Sequence, residues 1–514
     1  MLTRRIVDQI LPANSIAEVE AQSPAPQSTA PRIAVGLLIL CVLGEAALLR
    51  LGIDDLDEGY FVQQAVRVLH GQIPYRDFET LYSPGLAYAH AGLLFAFGGA
   101  SQAGLLLPPR ALSLLARGAL ALLLYAVARP LVRHPLWAAA PGLLLLLGLD
   151  DAPVRWEPHP GWPSTAFAVL AAWCLSHPPS TRWLVASGLS AGASYLFKQN
   201  TGAFMLAAII SLSLWERAGV RVPNEHERRP LQPHPHPRYA RPLPEGEAVA
   251  AFAGLTLIWL VPLLIALNGD ISQLGVLVGR INSASLFSPP EAPVLIPVAC
   301  LVGGLWLARK EADKRMRWYL LAGTALFLTE LPRVDTLHLA WSAPLLLVVG
   351  AATLDRARAP FVAAALAAVV VLVAPTVVSR ITSLQIPRAP IAGVEAQTQT
   401  VADLQGIVAD IHQRTVSGEP IFVYPSSPLL YVLADRPNPT RFDHLNPGAA
   451  SPPEIEQVIA DLTLSKVHLV VVSDYWRAVW GAPGPNLSLE AWLNDKYAQE
   501  VARYGAYRVL MSGL

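Results

Sequence analysis

The chain has 514 residues, of which 53% are hydrophobic and only 15% are charged, and its mean hydropathy is +0.41. A soluble domain carries roughly 25% charged residues, so this composition excludes an ordinary soluble enzyme and indicates a protein that uses lipid as its solvent. The net charge of zero gives no indication of nucleic-acid binding, and the three cysteines lie too far apart in sequence for a metal-binding or disulfide pattern.

The amino-terminal segment is polar and is followed by the first apolar run, Ile33 to Leu51. That run approaches the roughly 20 residues that a membrane-spanning helix needs, and no cleavage site follows it. We therefore predict a cytoplasmic tail over residues 1–32 rather than a signal peptide.

Apolar runs recur as far as residue 378 and predict an α-helical polytopic membrane protein. Basic loops are retained on the cytoplasmic side of a membrane. This rule places four basic segments in the cytoplasm: Arg129–His134, Glu216–Arg241, Arg309–Arg317 and Asp355–Arg358. The predicted spans are 33–51, 111–128, 136–149, 163–176, 182–197, 200–215, 247–267, 292–308, 318–331, 338–353 and 360–378.

The apolar segment Tyr82–Phe97 conflicts with this orientation, because counting it as a crossing would invert every later loop. Its length lies between that of a core helix and that of a true span. We predict that it lies in the outer interface, which gives eleven spans and an extracytoplasmic carboxyl terminus. Twelve spans stay open as an alternative.

The pattern changes after residue 378. Amphipathic helices at Thr400–Thr415 and Glu454–Leu464 alternate with short buried strands at Ile421–Tyr424 and His468–Ser473. The predicted organisation is therefore a transmembrane module over 33–378 with an outer loop at 52–110, followed by a small extracytoplasmic α/β domain over 379–514.

Four carboxylates, those of Asp54, Asp55, Asp57 and Glu58, stand within five residues at the end of the first span. A helix beginning near Asp57 would favour their ionised form. An ionised carboxylate there can accept a proton from a sugar hydroxyl or bind a cation. The alternative is that these residues only cap a helix at the water boundary.

The order of residues in this loop resembles the first outer loop of the GT-C glycosyltransferases, and in particular the family 39 (PMT/ArnT-like) branch, which takes sugars from polyprenyl-phosphate carriers. The resemblance rests on residues 57–60 (Asp-Glu-Gly-Tyr), on the turn at residues 71–78, and on Tyr82-Ser83-Pro84-Gly85. In the last of these, Gly85 replaces the second proline of the usual pair. Weaker similarity continues at Gly188–Gly202, at Pro332–Asp335 with His338, and at Val423–Phe442.

The resemblance implies a site and a reaction. Asp57, with Glu58 beside it, matches the catalytic carboxylate that deprotonates the acceptor hydroxyl. The leaving polyprenyl phosphate needs a cationic or donor-rich clamp. We predict Lys198, Arg76 and Arg333 for this clamp, and substrate contacts from Tyr60, Tyr82, Arg155, Glu157, His159, Asp335 and His338.

Lys198 stands out because it is the only lysine before residue 310 and lies between two apolar runs, where an isolated ammonium is expensive. The alternative is a lysine that snorkels from a helix end. The spacing of Asp335 and His338 allows metal binding but also fits a structural hydrogen bond. No cofactor is predicted with certainty: the lipid-linked sugar is the substrate, and a divalent cation stays open.

The expected partners are a polyprenyl-phosphate sugar, membrane lipids and an acceptor that the sequence does not identify. A transporter or flippase is the main alternative, although transporters concentrate charge at the membrane midplane and often contain repeated halves. A catalytically inactive scaffold of the same shape is the second alternative.

Overall fold

The computed structural model of the protein describes residues 29–97, 104–148, 158–178, 180–218, 244–274, 292–310, 313–329, 335–445, 450–475 and 486–513. Helices dominate the chain as far as residue 383, and a small mixed sheet with its own helices follows.

The helices of the first part follow the predicted apolar runs closely. They are α1 (Ala30–Leu48), α2 (Asp57–Leu69), α3 (Gly85–Ala96), α4 (Leu107–Ala128), α5 (Pro135–Gly148), α6 (Gly161–Leu175), α7 (Thr181–Phe197), α8 (Gln199–Ala218), α9 (Pro244–Ala266), α10 (Leu295–Lys310), α11 (Lys314–Leu328), α12 (Thr336–Ser342), α13 (Pro344–Leu354) and α14 (Ala359–Ser383). The run predicted at 338–353 is interrupted at Ala343, because Pro344 begins a new helix there.

Within the part of the chain that the structure describes, five helical segments are long and apolar enough to cross a membrane by length and composition: 30–48, 107–131, 246–266, 292–310 and 359–383. By contrast, α3 has 12 residues and extends roughly 18 Å, well below the ~30 Å of a bilayer core. The interfacial position of 82–97 and the count of eleven spans both stay predictions.

Two of the basic loops meet at one end of the helical bundle. The backbone N–H of Arg133 donates to Asp355 Oδ2 at 2.7 Å, and Arg356 Nη1 donates to the Leu131 carbonyl at 2.7 Å. The loops at 129–134 and 355–358 therefore lie on the same side of the helical bundle. This agrees with the rule that basic loops are retained on one side of the membrane.

The carboxyl-terminal part contains a two-stranded and a four-stranded sheet. Its elements are β1 (Arg388–Ile391), β2 (Val394–Gln397), α15 (Thr398–Arg414), β3 (Phe422–Tyr424), α16 (Leu429–Leu433), α17 (Pro452–Leu464), β4 (Leu469–Ser473), α18 (Leu487–Lys496), β5 (Gln499–Tyr504) and β6 (Tyr507–Met511). The larger sheet has the order β3-β4-β6-β5, with β3 and β4 parallel and the other neighbours antiparallel.

The predicted helices and strands of this part are present, with boundaries within two residues of those expected. The two hairpins, β1-β2 and β5-β6, were not predicted. The second hairpin supplies half of the larger sheet, and the apolar residues of β3, β4 and β6 form the core of the domain together with α15 and α17.

Candidate functional site

The acidic loop folds so that Asp54 caps α2. One oxygen of its carboxylate accepts the backbone N–H groups of Leu56 at 3.0 Å and Asp57 at 3.3 Å. These are donors at a helix start that no intrahelical acceptor serves. The capping role considered from the sequence therefore applies to Asp54.

Glu58 is fully buried and forms an ion pair with Arg110 of α4. Arg110 Nε lies 2.5 Å from Oε1 of Glu58, and Nη2 lies 2.7 Å from Oε2. Arg110 also donates to the carbonyls at the end of the first span, those of Leu49, Leu51 and Gly52. This arginine therefore ties the start of α2 to the end of α1 and to α4.

Asp55 connects the same loop to the carboxyl-terminal domain. Its carboxylate accepts hydrogen bonds from the hydroxyls of Ser427 and Tyr507. One turn further along, Gly59 packs directly on α16: a Cβ at this position would lie 2.6 Å from the backbone nitrogen of Leu429. Only glycine allows this approach.

Asp57 is the first residue of α2 and is partly exposed. Phe61 follows it by four residues and therefore projects from the same helix face. The Phe61 ring lies 5.5 Å from the His159 ring and 5.9 Å from the Tyr82 ring, measured between centroids. Phe61, one turn after Asp57, therefore packs against His159 and Tyr82.

His159 is buried and held in one orientation. Its Nδ1 accepts the Gly161 backbone N–H at 2.9 Å, so the hydrogen-bond network assigns the ring proton to Nε2. Nε2 lies 2.9 Å from the Tyr82 hydroxyl oxygen and donates to it. Tyr82 consequently receives one hydrogen bond from His159 and directs its own proton elsewhere.

Trp341 contacts both His159 and Lys198. Its ring stacks on the His159 ring at 3.7 Å with an interplanar angle of 2°, and the Lys198 ammonium lies 5.0 Å from its centroid. Lys198 is buried at the junction of α7 and α8, where its extended backbone ends the first of these helices. An ammonium over an indole face is electrostatically favoured.

Asp335 and His338 form the structural hydrogen bond considered from the sequence. Asp335 caps α12 through the His338 backbone N–H at 2.9 Å, and the same carboxylate oxygen lies 2.6 Å from His338 Nδ1. His338 also meets the edge of Trp341, with ring centroids 5.1 Å apart. This pair therefore belongs to the same cluster as His159 and Lys198.

Tyr60 lies on another side of α2 and faces the carboxyl-terminal domain. Its ring stacks on His444 at 4.7 Å, and its hydroxyl accepts the Leu81 backbone N–H at 3.1 Å. Burial raises the pKa of this hydroxyl, so Tyr60 stays protonated.

Arg76 lies apart from this cluster, on an exposed turn. Its guanidinium pairs with the neighbouring Asp77, with the two closest contacts at 2.7 and 2.9 Å, and 43% of its side chain is exposed. Three other predicted residues, Arg155, Glu157 and Arg333, lie outside the described residues.

Gly85 has a steric reason for replacing the expected proline. A Cβ at this position would lie 2.5 Å from the Leu196 carbonyl oxygen, because the start of α3 packs against the end of α7. This contact brings the segment that carries Tyr82 close to Lys198.

Sequence reasoning missed two sets of residues. Trp341 stands three residues after His338, and that helical spacing was the one available signal for it. Arg110, Asp443 and His444 gave none, because they meet Glu58, Arg67 and Tyr60, respectively, only through the tertiary fold. Within the described ranges, no group of three or more His, Cys, Asp or Glu side chains could hold a metal ion.

Comparison with known proteins gives a match at the level of structure. No family model matches the chain, and neither does any curated protein. ArnT from Cupriavidus metallidurans in the apo state is similar with a TM-score of 0.56 and 14% identity, covering 93% of this chain and 98% of that one. The same protein bound to undecaprenyl phosphate gives 0.54 and 14%, covering 92% and 98%.

A third similar structure is the oligosaccharyltransferase AglB from Archaeoglobus fulgidus, in complex with an inhibitory peptide and a dolichol-phosphate. Its TM-score is 0.53 at 14% identity, covering 93% of this chain and 74% of that one. The chain therefore has the GT-C membrane fold with a small carboxyl-terminal sheet domain, which confirms the predicted fold class. At this level of identity the likeness concerns the fold.

Proposed function

We propose that the protein is an integral-membrane glycosyltransferase that moves a sugar from a polyprenyl-phosphate donor to an acceptor hydroxyl at the extracytoplasmic face. The observation that carries the proposal is the cluster of Tyr82, His159 and Lys198, which come from separate parts of the chain and meet in one cluster with Trp341. Phe61, one turn after Asp57 on α2, packs on the same cluster. The GT-C fold supports it, as do the lipid phosphates in the structures of ArnT and AglB.

Asp57 is the proposed base. It stands at the amino end of α2, where the helix dipole favours a carboxylate. Asp54 and Glu58 are bound to the helix start and to Arg110, respectively, which holds the turn that carries Asp57 in place. Glu58, predicted as catalytic from the sequence, is therefore assigned a positioning role.

The proposed phosphate clamp consists of Lys198 and Tyr82. His159 donates to the Tyr82 hydroxyl oxygen and so fixes the position of this hydroxyl. The Trp341 ring contacts both His159, by stacking, and the Lys198 ammonium. Pre-oriented donors of this kind stabilise charge that develops on a leaving group.

The reaction is a single displacement. The acceptor hydroxyl oxygen forms a bond to C1 of the donor sugar while the bond between C1 and the phosphate oxygen breaks. The hydroxyl proton passes to Asp57, and the bonding electron pair leaves with the polyprenyl phosphate. Attack on the face opposite the leaving group inverts the configuration at C1.

The remaining predicted residues have weaker structural support. Asp335 and His338 contact the cluster through Trp341 and are proposed to line the donor site. Arg76 is committed to Asp77 on the surface, so we rank it below Lys198 as a phosphate ligand. Arg155, Glu157 and Arg333 stay predictions from the sequence.

The test compares Asp57→Asn with Asp77→Asn, an acidic residue of the same outer loop that pairs with Arg76 on the surface. In membranes supplied with the polyprenyl-phosphate sugar, Asp57→Asn abolishes transfer at normal expression, whereas Asp77→Asn retains it. Wild-type turnover by Asp57→Asn would refute the assignment of the base.

A further inference from the structure

The segment that carries Tyr82 is held by the residue next to Lys198. Gln199 is the first residue of α8, and its side-chain amide reaches the backbone on both sides of Tyr82. Its Oε1 accepts the Ser83 backbone N–H at 3.1 Å, and its Nε2 donates to the Leu81 carbonyl at 3.0 Å. One amide therefore bonds the two peptide groups that flank Tyr82.

The amide of Gln199 can take only one orientation at this place. Its oxygen faces an N–H donor and its nitrogen faces a carbonyl acceptor, so a flipped amide would oppose donor to donor and acceptor to acceptor. A side-chain amide offers the same donor and acceptor as a peptide group, so Gln199 pairs with the segment as a neighbouring β-strand would. The contact therefore fixes both the distance and the direction of the segment.

Other side chains complete the hydrogen bonds of this segment. The Tyr60 hydroxyl accepts the Leu81 backbone N–H at 3.1 Å, and the Tyr75 hydroxyl donates to the Tyr82 carbonyl at 2.6 Å. Tyr60 and Tyr75 belong to the same outer loop as the segment, whereas Gln199 lies more than a hundred residues further along the chain. Gln199 therefore ties the segment to the junction of α7 and α8.

The junction that carries Gln199 is itself tightly packed. The Lys198 backbone is extended, and its N–H donates to the Ser194 carbonyl at 2.9 Å. A Cβ on Gly202 would collide with the backbone nitrogen of Tyr195, so the first turn of α8 lies directly on the last turn of α7. Only glycine allows this approach. Lys198 and Gln199 therefore project from a backbone that packing holds in place.

We infer that Gln199 is a positioning residue for the phosphate clamp, an inference that rests on the proposed transferase function. It holds Tyr82 in the cluster that contains Lys198, so that the hydroxyl and the ammonium form one preformed site for a phosphate. Without the amide, the Tyr82 hydroxyl keeps its hydrogen bond with His159, but the backbone beneath it is free to shift. Gln199 acts on the donor through Tyr82.

The first measurement needs no ligand and uses the full-length protein in lipid nanodiscs. Gln199→Met removes the amide at similar side-chain volume, so hydrogen exchange in peptides covering 79–83 should become several-fold faster than in the wild type. The matched control is Asn200→Leu, because the Asn200 amide donates to a different backbone group, the Thr329 carbonyl, at 3.0 Å. The control should leave exchange at 79–83 unchanged. Unchanged exchange in Gln199→Met would overturn the inference.

The second measurement is binding of undecaprenyl phosphate, followed by native mass spectrometry without turnover. Gln199→Met should weaken binding roughly fivefold to tenfold, as expected for lost hydrogen bonds that hold a ligand group in place. In a Tyr82→Phe background, the same substitution should change binding by less than about twofold, because the hydroxyl that it positions is gone. Asn200→Leu should bind as the wild type does. Equal losses with and without the Tyr82 hydroxyl would overturn the inference, since a merely structural role gives that result.

Thermal unfolding of each variant checks that the fold is intact. Gln199→Asn decides the result if Gln199→Met does not fold, because its amide is one methylene too short to span both peptide groups. A wild type that does not bind undecaprenyl phosphate contradicts the clamp and the proposed function. The exchange measurement then shows separately whether Gln199 holds the segment.

Discussion

The buried ion pair between Glu58 and Arg110 gives a quantitative test of how the acidic loop is held. Arg110→Met leaves a carboxylate in a fully buried position and removes the donor to three backbone carbonyls. Breaking a buried pair in this way costs about 3–5 kcal/mol. Glu58→Gln keeps the shape and leaves Arg110 its carbonyl acceptors, so we expect a smaller loss of about 1–3 kcal/mol.

The assay is thermal unfolding of purified protein in detergent, followed by intrinsic fluorescence. The matched control is Arg76→Met, which breaks an exposed pair with Asp77 and costs about 0–1 kcal/mol. The expected order of destabilisation is Arg110→Met, then Glu58→Gln, then the control. An Arg110→Met protein as stable as the control would refute the reasoning that this pair holds the loop.

Three further substitutions probe the site from different sides. Lys198→Met removes the ammonium of the proposed phosphate clamp and should lower transfer by about 10²–10³-fold in a donor-saturated assay; an unchanged rate contradicts the clamp. Tyr507→Phe removes one of two hydroxyl donors to Asp55. The free energy of unfolding, measured by thermal unfolding, should fall by about 0.5–1.5 kcal/mol. An unaltered unfolding midpoint argues against this contact. Gly59→Val forces α2 away from the carboxyl-terminal domain and should lower the midpoint of thermal unfolding. The control is Gly92→Ala, whose added methyl group meets open space and should lower the midpoint far less. Equal midpoints for the two variants contradict the close packing at Gly59.

The helical part of the fold follows from local sequence features. A run of apolar residues in a membrane protein must form a helix, because only internal hydrogen bonds satisfy its backbone in lipid. The predicted runs therefore agree with helices such as α1 and α14 to within a few residues at most ends. The interruption at Pro344 is also encoded locally, because a proline favours the start of a new helix.

The site was predictable only where a short motif carried it. Asp57 and Tyr82 belong to the loop that resembles the GT-C pattern, and the structure places the ring of Phe61, one turn after Asp57, 5.9 Å from the Tyr82 ring between centroids. The roles of the neighbouring carboxylates depend on distant partners: Asp55 contacts Tyr507, which is 452 residues away, and Glu58 contacts Arg110. No local pattern encodes these pairings, since they arise from how helices and domains pack.

The two unpredicted hairpins illustrate the same limit within the carboxyl-terminal domain. Strand β5, Gln499–Tyr504, has equal numbers of polar and apolar residues, all exposed or half-buried, without a clean alternation of apolar residues. It forms a strand because β6 offers an edge to pair with, and its register shifts between Glu500 and Ala502. Tertiary pairing overrides weak local preference here.

The most direct test of the proposed function is release of polyprenyl phosphate by the purified protein. Wild-type protein in nanodiscs receives a panel of radiolabelled polyprenyl-phosphate sugars together with a cell-envelope extract as the source of acceptor. At least one donor should be consumed, with its sugar recovered on an acceptor and one polyprenyl phosphate released for each transfer, and Asp57→Asn should release none. Intact donor across the whole panel with folded wild-type protein, or equal release by Asp57→Asn, would contradict the account.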